Sequence, residues 1–397
     1  MRFYILKNLL FGGLLLLLLH FETLNIGPFK VSHLWKGVLL LYIIFKLLNK
    51  KNSLLIYRPL LFLAILQIVN IEIFNNPINA IIQFSTILIL PLLGIYVFNF
   101  TYSQLQNALM FFASFFILSF IPYQLGILTS FEDGYALHKY GGGSGLIGPF
   151  QNPHSASLTL AFSLIVIANF WFSKKFNKIF LILLFVFGFY FLINTYVRTG
   201  LAMLVIGLLI LVFYYGKKSP KSFLKVVVTS SLLMILRSSW VLTNDILINR
   251  IKGEGQYGNE DKFEKYGSGR GAIYLASVET FYDASLLEKI FGMGSTELAD
   301  KNYQKLGIRI GSHNAFFDTL LANGIVGLLL FLSFIYKIFL LLRKQRSKYY
   351  PLLTALFLAF LIMSFFQGFE RITVNLLLFL AVASTIRINQ NYENKNN

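Results

Sequence analysis

The chain contains no cysteine and few charges, and each shortage narrows what it can be. Without cysteine there is no disulfide frame and no thiolate metal site. Charged residues make up 13% of the 397 positions, against roughly 25% in soluble domains. Other metal ligands are thinly spread. His20, His33, His138, His154 and His313 are scattered, with no HxxxH or HExxH spacing. The carboxylate pairs Glu132–Asp133 and Glu260–Asp261 are adjacent in sequence and read as solvated. No metal and no cofactor is therefore expected. There is no GxSxG elbow, and the glycine run at 141–145 lacks the Lys-Ser/Thr pair of a nucleotide-binding loop.

What is present is apolar. Hydrophobic residues are 56% of the chain, aromatic residues 17%, and the mean hydropathy is +0.67. The apolar residues form runs near the roughly 20 residues that cross a bilayer as a helix. The sequence thus predicts an all-α polytopic membrane protein with about twelve transmembrane helices. The spans fall near 4–21, 33–48, 54–71, 78–98, 105–127, 152–172, 177–195, 199–216, 222–241, 314–342, 351–366 and 372–386. The first has a basic start but no small-residue cleavage site, so it is expected to be retained. The chain then divides into spans one to nine (1–241, with a glycine-rich outer loop at 129–154), an extracytoplasmic loop (242–312), spans ten to twelve (313–386) and a cytoplasmic tail (387–397).

A net charge of +18 would point a soluble protein toward nucleic acid. Here the cations cluster in short connections between apolar runs, so they report topology, and membrane lipid replaces nucleic acid as the expected partner. With the N-terminus inside, the inner connections hold Lys46, Lys50, Lys51 and Arg58, then Lys174, Lys175 and Lys178. Lys217, Lys218, Lys221 and Lys225 follow, and Arg343, Lys344, Arg346 and Lys348 come after span ten. The short outer loops hold only Lys30, Lys139, Arg198 and Arg371, as the positive-inside rule requires. The segment 242–312 then lies outside, and it is too long for a mere connector, with room for two short helices.

Three outward stretches carry the polar chemistry. Arg198 sits in NTYVRTG at the outer end of span eight, where a charge is either functional or a snorkelling interfacial arginine. Arg270, in GSGRGAIY, heads an amphipathic segment running to about Asp283, two residues after the capping-type Ser268. His313, in GSHNAFFDTLLANGIVG, follows the capping candidate Ser312 and heads a helix that Gly324 can close. Each has a plain structural alternative as a surface or helix-start residue. Together they place two cations and an imidazole on one face. Arginine is suited to bidentate phosphate contact, and a histidine beside a helix N-terminus is biased toward its neutral, proton-accepting form. His138 and His154 lie in or beside the glycine-rich loop and read as loop structure in place of chemistry.

The order NTYVRTG, GSGRGAIY, FGMGSTEL and SHNAFFDTLLANGIVG resembles the O-antigen ligase and O-antigen polymerase superfamily of bacterial envelope glycan assembly. His313 followed by ten residues and Gly324 is similar to the histidine–glycine pattern of the ligases. GLIGPFQNPHSASL resembles the superfamily's Gly-x-Phe-x-Asn-Pro loop. The resemblance covers about residues 140–340. It departs from the ligases after Arg198, where TGLAML does not place leucine four residues on, and at His154, where asparagine is usual.

The resemblance implies a GT-C-like, metal-independent, inverting glycosyltransferase in the bacterial cytoplasmic membrane, acting on its outer face. The donor would be an oligosaccharide on undecaprenyl diphosphate. Arg198 and Arg270 would hold the diphosphate, His313 would activate the acceptor hydroxyl, and Asn152, His154 and Asn314 would contact substrate. A chain-length regulator and a flippase are the further partners implied. The departure favours a repeat-unit polymerase. A ligase delivering glycan to lipid A-core or protein is the alternative, and a polysaccharide flippase or transporter stands behind both.

Overall fold

A computed structural model describes residues 2–20, 25–26, 29–30, 37, 54–69, 72–98, 100–129, 145–150, 152–173, 176–218, 270–307, 309–344 and 350–396. The described residues are overwhelmingly helical, joined by one antiparallel two-residue ladder, β1 (Asn25–Ile26) with β2 (Phe29–Lys30). Six helices are long and apolar enough to cross a membrane: Pro77–Val97, Tyr102–Gln124, Pro153–Ser173, Arg198–Lys217, Ala315–Arg343 and Ile372–Gln390. Every expected span within the described residues coincides with a helix. The spans expected at 33–48 and 222–241 lie outside them, as do His138, Ser268 and the pairs Glu132–Asp133 and Glu260–Asp261.

The chain forms two compact units, interleaved along the sequence. The first comprises Met1–His20, Ala108–Gly269 and Lys348–Ile362, the second Phe21–Asn107, Arg270–Ser347 and Met363–Asn397.

In the first unit, α7 (Pro153–Ser173) is buried from Ala156 to Phe170 and so reads as hydrophobic on all sides. Two helices pack on it, α8 (Lys178–Asn194) and α9 (Arg198–Lys218). The contact points are small residues, as in membrane helix pairs generally. A Cβ at Gly188 would stand 2.8 Å from the Leu164 Cδ2 atom, and one at Gly200 would collide with the Ser157 hydroxyl.

In the second unit, α2 (Leu54–Val69) packs against α4 (Pro77–Val97), α4 against α15 (Ile372–Asn396), and α13 (Ala315–Arg343) against α2. Tyr57 is fully buried between them, edge-on to Phe379 at 5.0 Å between ring centroids and tilted on Phe334 at 6.5 Å. Such aromatic pairs add about 0.5–1.5 kcal/mol beyond their burial. Gln67 of α2 donates to the Asn323 carboxamide of α13, a polar link between two apolar helices.

Between the apolar spans, residues 270–306 fold into three helices where the sequence predicted two. These are α10 (Arg270–Asp283), α11 (Leu286–Phe291) and α12 (Ser295–Leu306). The extra element is α11, a short helix set by a capping box in which the Ser285 hydroxyl and the Glu288 carboxylate cap each other's backbone N–H.

Candidate functional site

The sequence FGMG at 291–294 and the break in α13 are two halves of one joint. Gly324 has φ +68° and ψ −173°, and Gly292 has φ +89° and ψ +160°, both in a region open essentially to glycine alone. Gly324 stops the first stretch of α13 after Asn323, which leaves the carbonyls of that turn without helical partners. The freed carbonyls of Leu321 and Ala322 accept from the N–H groups of Met293, at 2.9 Å, and Gly294, at 3.1 Å. A Cβ at Gly292 would strike the Ala322 carbonyl, and one at Gly324 the Ile290 carbonyl. The expectation that Gly324 closes the helix holds, and its partner across the joint is FGMG.

At the other end of that short helix, Asn314 is the N-cap. Its Oδ1 accepts from Phe316 N at 2.9 Å and Phe317 N at 3.2 Å, while its Nδ2 donates to the Phe365 carbonyl at 3.1 Å. Ser312, the expected cap, serves otherwise. Its N–H and hydroxyl both donate to the Asp318 carboxylate at 2.7 Å. With Asn314 and Ser312 both tied down, the residue between them is forced into an unusual shape. His313 has φ +53°, the left-handed region that costs a non-glycine residue roughly 1–3 kcal/mol.

Two segments converge on His313. From the short connection after α14 (Tyr350–Phe366), Gln367 is buried and hydrogen-bonded to the imidazole, and Arg371 acts on it through its charge. From the first residue of α10, Arg270 does the same. Arg270 is also seated 5.4 Å from the centre of the Phe366 ring, a cation–π contact. Tyr274, one turn on, donates to the Phe365 carbonyl at 3.0 Å and stacks obliquely on Phe317. Burial raises its phenol pKa above the ordinary value, so it serves as a neutral donor. Phe316 against Phe365 at 4.8 Å, and Phe331 against Phe369 at 4.6 Å, clamp the connection to the helix start.

This setting pushes the His313 pKa down to about 4. Burial is the largest cause, followed by the charges of Arg270 and Arg371, with the Gln367 hydrogen bond opposing them. The imidazole is neutral at pH 7, as the sequence predicted, but through burial and two guanidiniums and not through the helix terminus. A neutral imidazole flanked by two fixed cations can take a proton while a neighbouring anion is held.

The first unit gathers the other sequence candidates. Asn152 accepts from Ser155 N at 2.8 Å and so caps the start of α7, with His154 in its first turn. Leu146 N donates to the Asn194 carbonyl at 2.7 Å, which draws the glycine-rich loop against the turn that ends in Arg198. Tyr196, two residues before Arg198, has φ +55°. Tyr196 and His313 are the two non-glycine residues with positive φ among the described residues, and both adjoin predicted site residues. Arg198 is exposed at the head of α9.

Sequence reasoning placed Arg270 and His313 but passed over Gln367, Tyr274 and Asp318, and took Arg371 only as an outer-loop cation. A charged pair, Glu370–Arg371, in a connection of only a few residues was the available signal. Among the described residues no group of three or more His, Cys, Asp or Glu side chains is placed to hold a metal ion.

No curated protein matches the chain. Residues 183–332, which include Arg198, Arg270, His313 and Asn314, match the family model described as O-antigen ligase.

Proposed function

We propose that the chain is a repeat-unit polysaccharide polymerase that moves a glycan from undecaprenyl diphosphate to the terminal hydroxyl of a second lipid-linked repeat. Members of the superfamily are glycosyltransferase-like membrane enzymes, and the observation that carries the reading is His313 itself. It is held at φ +53°, bonded to Gln367 and flanked by Arg270 and Arg371.

In the proposed reaction His313 accepts the acceptor's hydroxyl proton. The acceptor oxygen forms a bond to the anomeric carbon from the face opposite the leaving group, and the bond from that carbon to the diphosphate oxygen breaks, inverting the centre. The electron pair leaves with undecaprenyl diphosphate. Arg270 and Arg371 stabilise that charge, and Arg198, Asn152 and His154 of the first unit are proposed to bind substrate. Asn314 acts by position, since both ends of its amide hold backbone. A bound diphosphate offsets the two guanidinium charges and lifts the His313 pKa from about 4 toward the range of an effective base.

Ligase chemistry is the second reading, favoured by the description of the matching family. The polymerase reading rests on TGLAML after Arg198. The envelope polysaccharide profile of a deletion strain separates them. A single repeat on the acceptor indicates a polymerase, and full chains left on the carrier indicate a ligase. Sidedness is tested in the cysteine-free parent. Tyr303→Cys is expected to react with an impermeant maleimide in intact cells and Ser173→Cys only after lysis, and the reverse pattern overturns an outer-face site.

A further inference from the structure

The second unit holds an open cavity of about 450 Å³ whose lining mixes polar and apolar side chains. It lies within the roughly 300–1,000 Å³ of small-molecule sites. Four carboxamides line it, Gln67, Asn79, Gln83 and Asn323, joined by the hydroxyl of Thr319 and by Asp318. A carboxamide donates and accepts at once without net charge, which is the pairing that vicinal sugar hydroxyls require. Part of the lining is pre-set. Gln67 donates to Asn323, and Asn79 donates to Glu72 and Thr296. Glu72, buried, in turn caps the start of α12 through Ser295 N at 2.8 Å and Thr296 N at 3.2 Å. Gln83 lines the cavity with no protein hydrogen bond recorded among the described residues.

The charges on the wall argue against an anion. Two carboxyl groups, Asp318 and Glu370, line it against one guanidinium, Arg309, which is already paired with Asp300 at 2.8 Å. A diphosphate would find no unpaired guanidinium on this wall. His313 does not itself line the cavity, but sequence neighbours of it on two segments do. Gly311, Ala315 and Asp318 line it, and His313 lies within that stretch. Gly368, Phe369 and Glu370 line it, and they are bracketed by Gln367 and Arg371, which act on His313.

We propose that this cavity is the acceptor site, binding one or two neutral sugar residues by their hydroxyls and presenting one hydroxyl to His313. The proposal rests on His313 being the base and assigns the acceptor to a place that the arginines leave open.

The absence of cysteine from the chain supplies the test. Gln83→Cys and, on α12, Ala299→Cys are made singly in the purified full-length protein and reacted with a water-soluble thiosulfonate. Both are expected to react. The repeat-unit oligosaccharide, released from its carrier and carrying no diphosphate, should slow labelling by roughly tenfold at about ten times its dissociation constant. Farnesyl diphosphate, which has the diphosphate and isoprenoid but no sugar, should leave the rate unchanged. Failure of both cysteines to react, no protection by the oligosaccharide, or equal protection by farnesyl diphosphate would each overturn the assignment. Binding is read here without turnover, so an inactive His313→Ala protein that is still protected separates failure of the acceptor site from failure of the catalytic reading.

Discussion

Two hollows of nearly equal size, one in each unit, have opposite chemistry. The groove of the first unit, about 460 Å³, is walled by Ile121, Leu125, Phe185, Val186, Phe187, Phe189 and Phe191, with Gln124 and Tyr190 its only polar members. The cavity of the second unit, about 450 Å³, sets carboxamides, hydroxyls and charged groups among Ile87, Leu298, Ala299, Ala315, Ala322 and Phe369. Volume therefore does not identify a site. Much of the first wall, Phe187 among it, is exposed apolar surface on a helix of a membrane protein, where lipid replaces water and no hydrophobic force favours filling it. The second gathers polar groups that largely satisfy one another, Gln67 with Asn323 and Asn79 with Glu72 and Thr296, and leaves Gln83 for a partner. Chemistry is expected to follow the second hollow, and the predictions below strain that contrast, the largest effect first.

His313→Ala should lower transfer by about 10²- to 10⁴-fold, the usual contribution of a positioned base. Binding of the lipid-linked donor, measured by equilibrium partitioning, should be retained. Arg270→Lys should follow at about 30- to 1000-fold, or roughly 2–4 kcal/mol, because an ammonium has no planar fork for phosphate. A folded Arg270→Lys protein with full activity would remove phosphate contact as the reason for that arginine.

The pH dependence isolates what the neighbours of His313 do. With its pKa at about 4, the free enzyme should lose kcat/KM only as pH falls through that value. Arg371→Gln removes one of the charges holding the pKa down, so the acidic limb should move upward. Arg371→Lys should leave it low. The sign for stability runs the same way. A histidine depressed below its unfolded value of about 6.5 leaves stability intact above that pH and erodes it as pH falls from there toward 4. A limb that stays put in Arg371→Gln would mean that Arg371 does not act on the base.

The sequence showed these parts unequally. The start of α10 at Arg270, its end at Asp283 and the stop at Gly324 were legible, because capping and glycine signals are local. The cap on α13 was misread by two residues. Ser312 and Asn314 are both competent, and only the tertiary position of Asp318 draws the serine away. Gln367 was illegible as a site residue and Arg371 showed only as half of a charged pair, since a short connection has no periodicity and its meeting with His313 is set by aromatic packing far along the chain. The cause of the histidine's depressed pKa was illegible for the same reason: burial is a property of the fold.

Gly324→Ala tests the joint under the polar cavity. Its φ of +68° costs alanine roughly 1–3 kcal/mol, and the new Cβ would meet the Ile290 carbonyl. The thermal midpoint in detergent should drop clearly. Gly13→Ala, in the helix Arg2–His20 of the first unit, is the control, because its backbone is helical and a Cβ there meets nothing within 4 Å, so the midpoint should hold or rise. Equal losses would mean that strain at 324 is not what holds the joint.

The smallest expected effect is also the sharpest check on the contrast itself. Phe187 lies on the wall of the apolar groove and is 47% exposed. Phe187→Leu exchanges one apolar surface for another, so stability should change by no more than about 0.5 kcal/mol. Transfer should stay within about twofold, equivalent to roughly 0.4 kcal/mol. Gln83→Leu, an equally modest change of volume in the other hollow, removes both a donor and an acceptor from the proposed acceptor site and should raise the concentration of lipid-linked repeat needed for half-maximal rate. If Phe187→Leu lowered transfer tenfold while Gln83→Leu did not, the occupant that matters would be an isoprenoid chain lying along Phe185–Phe191, and the aromatic wall would be the substrate-binding surface of the pair.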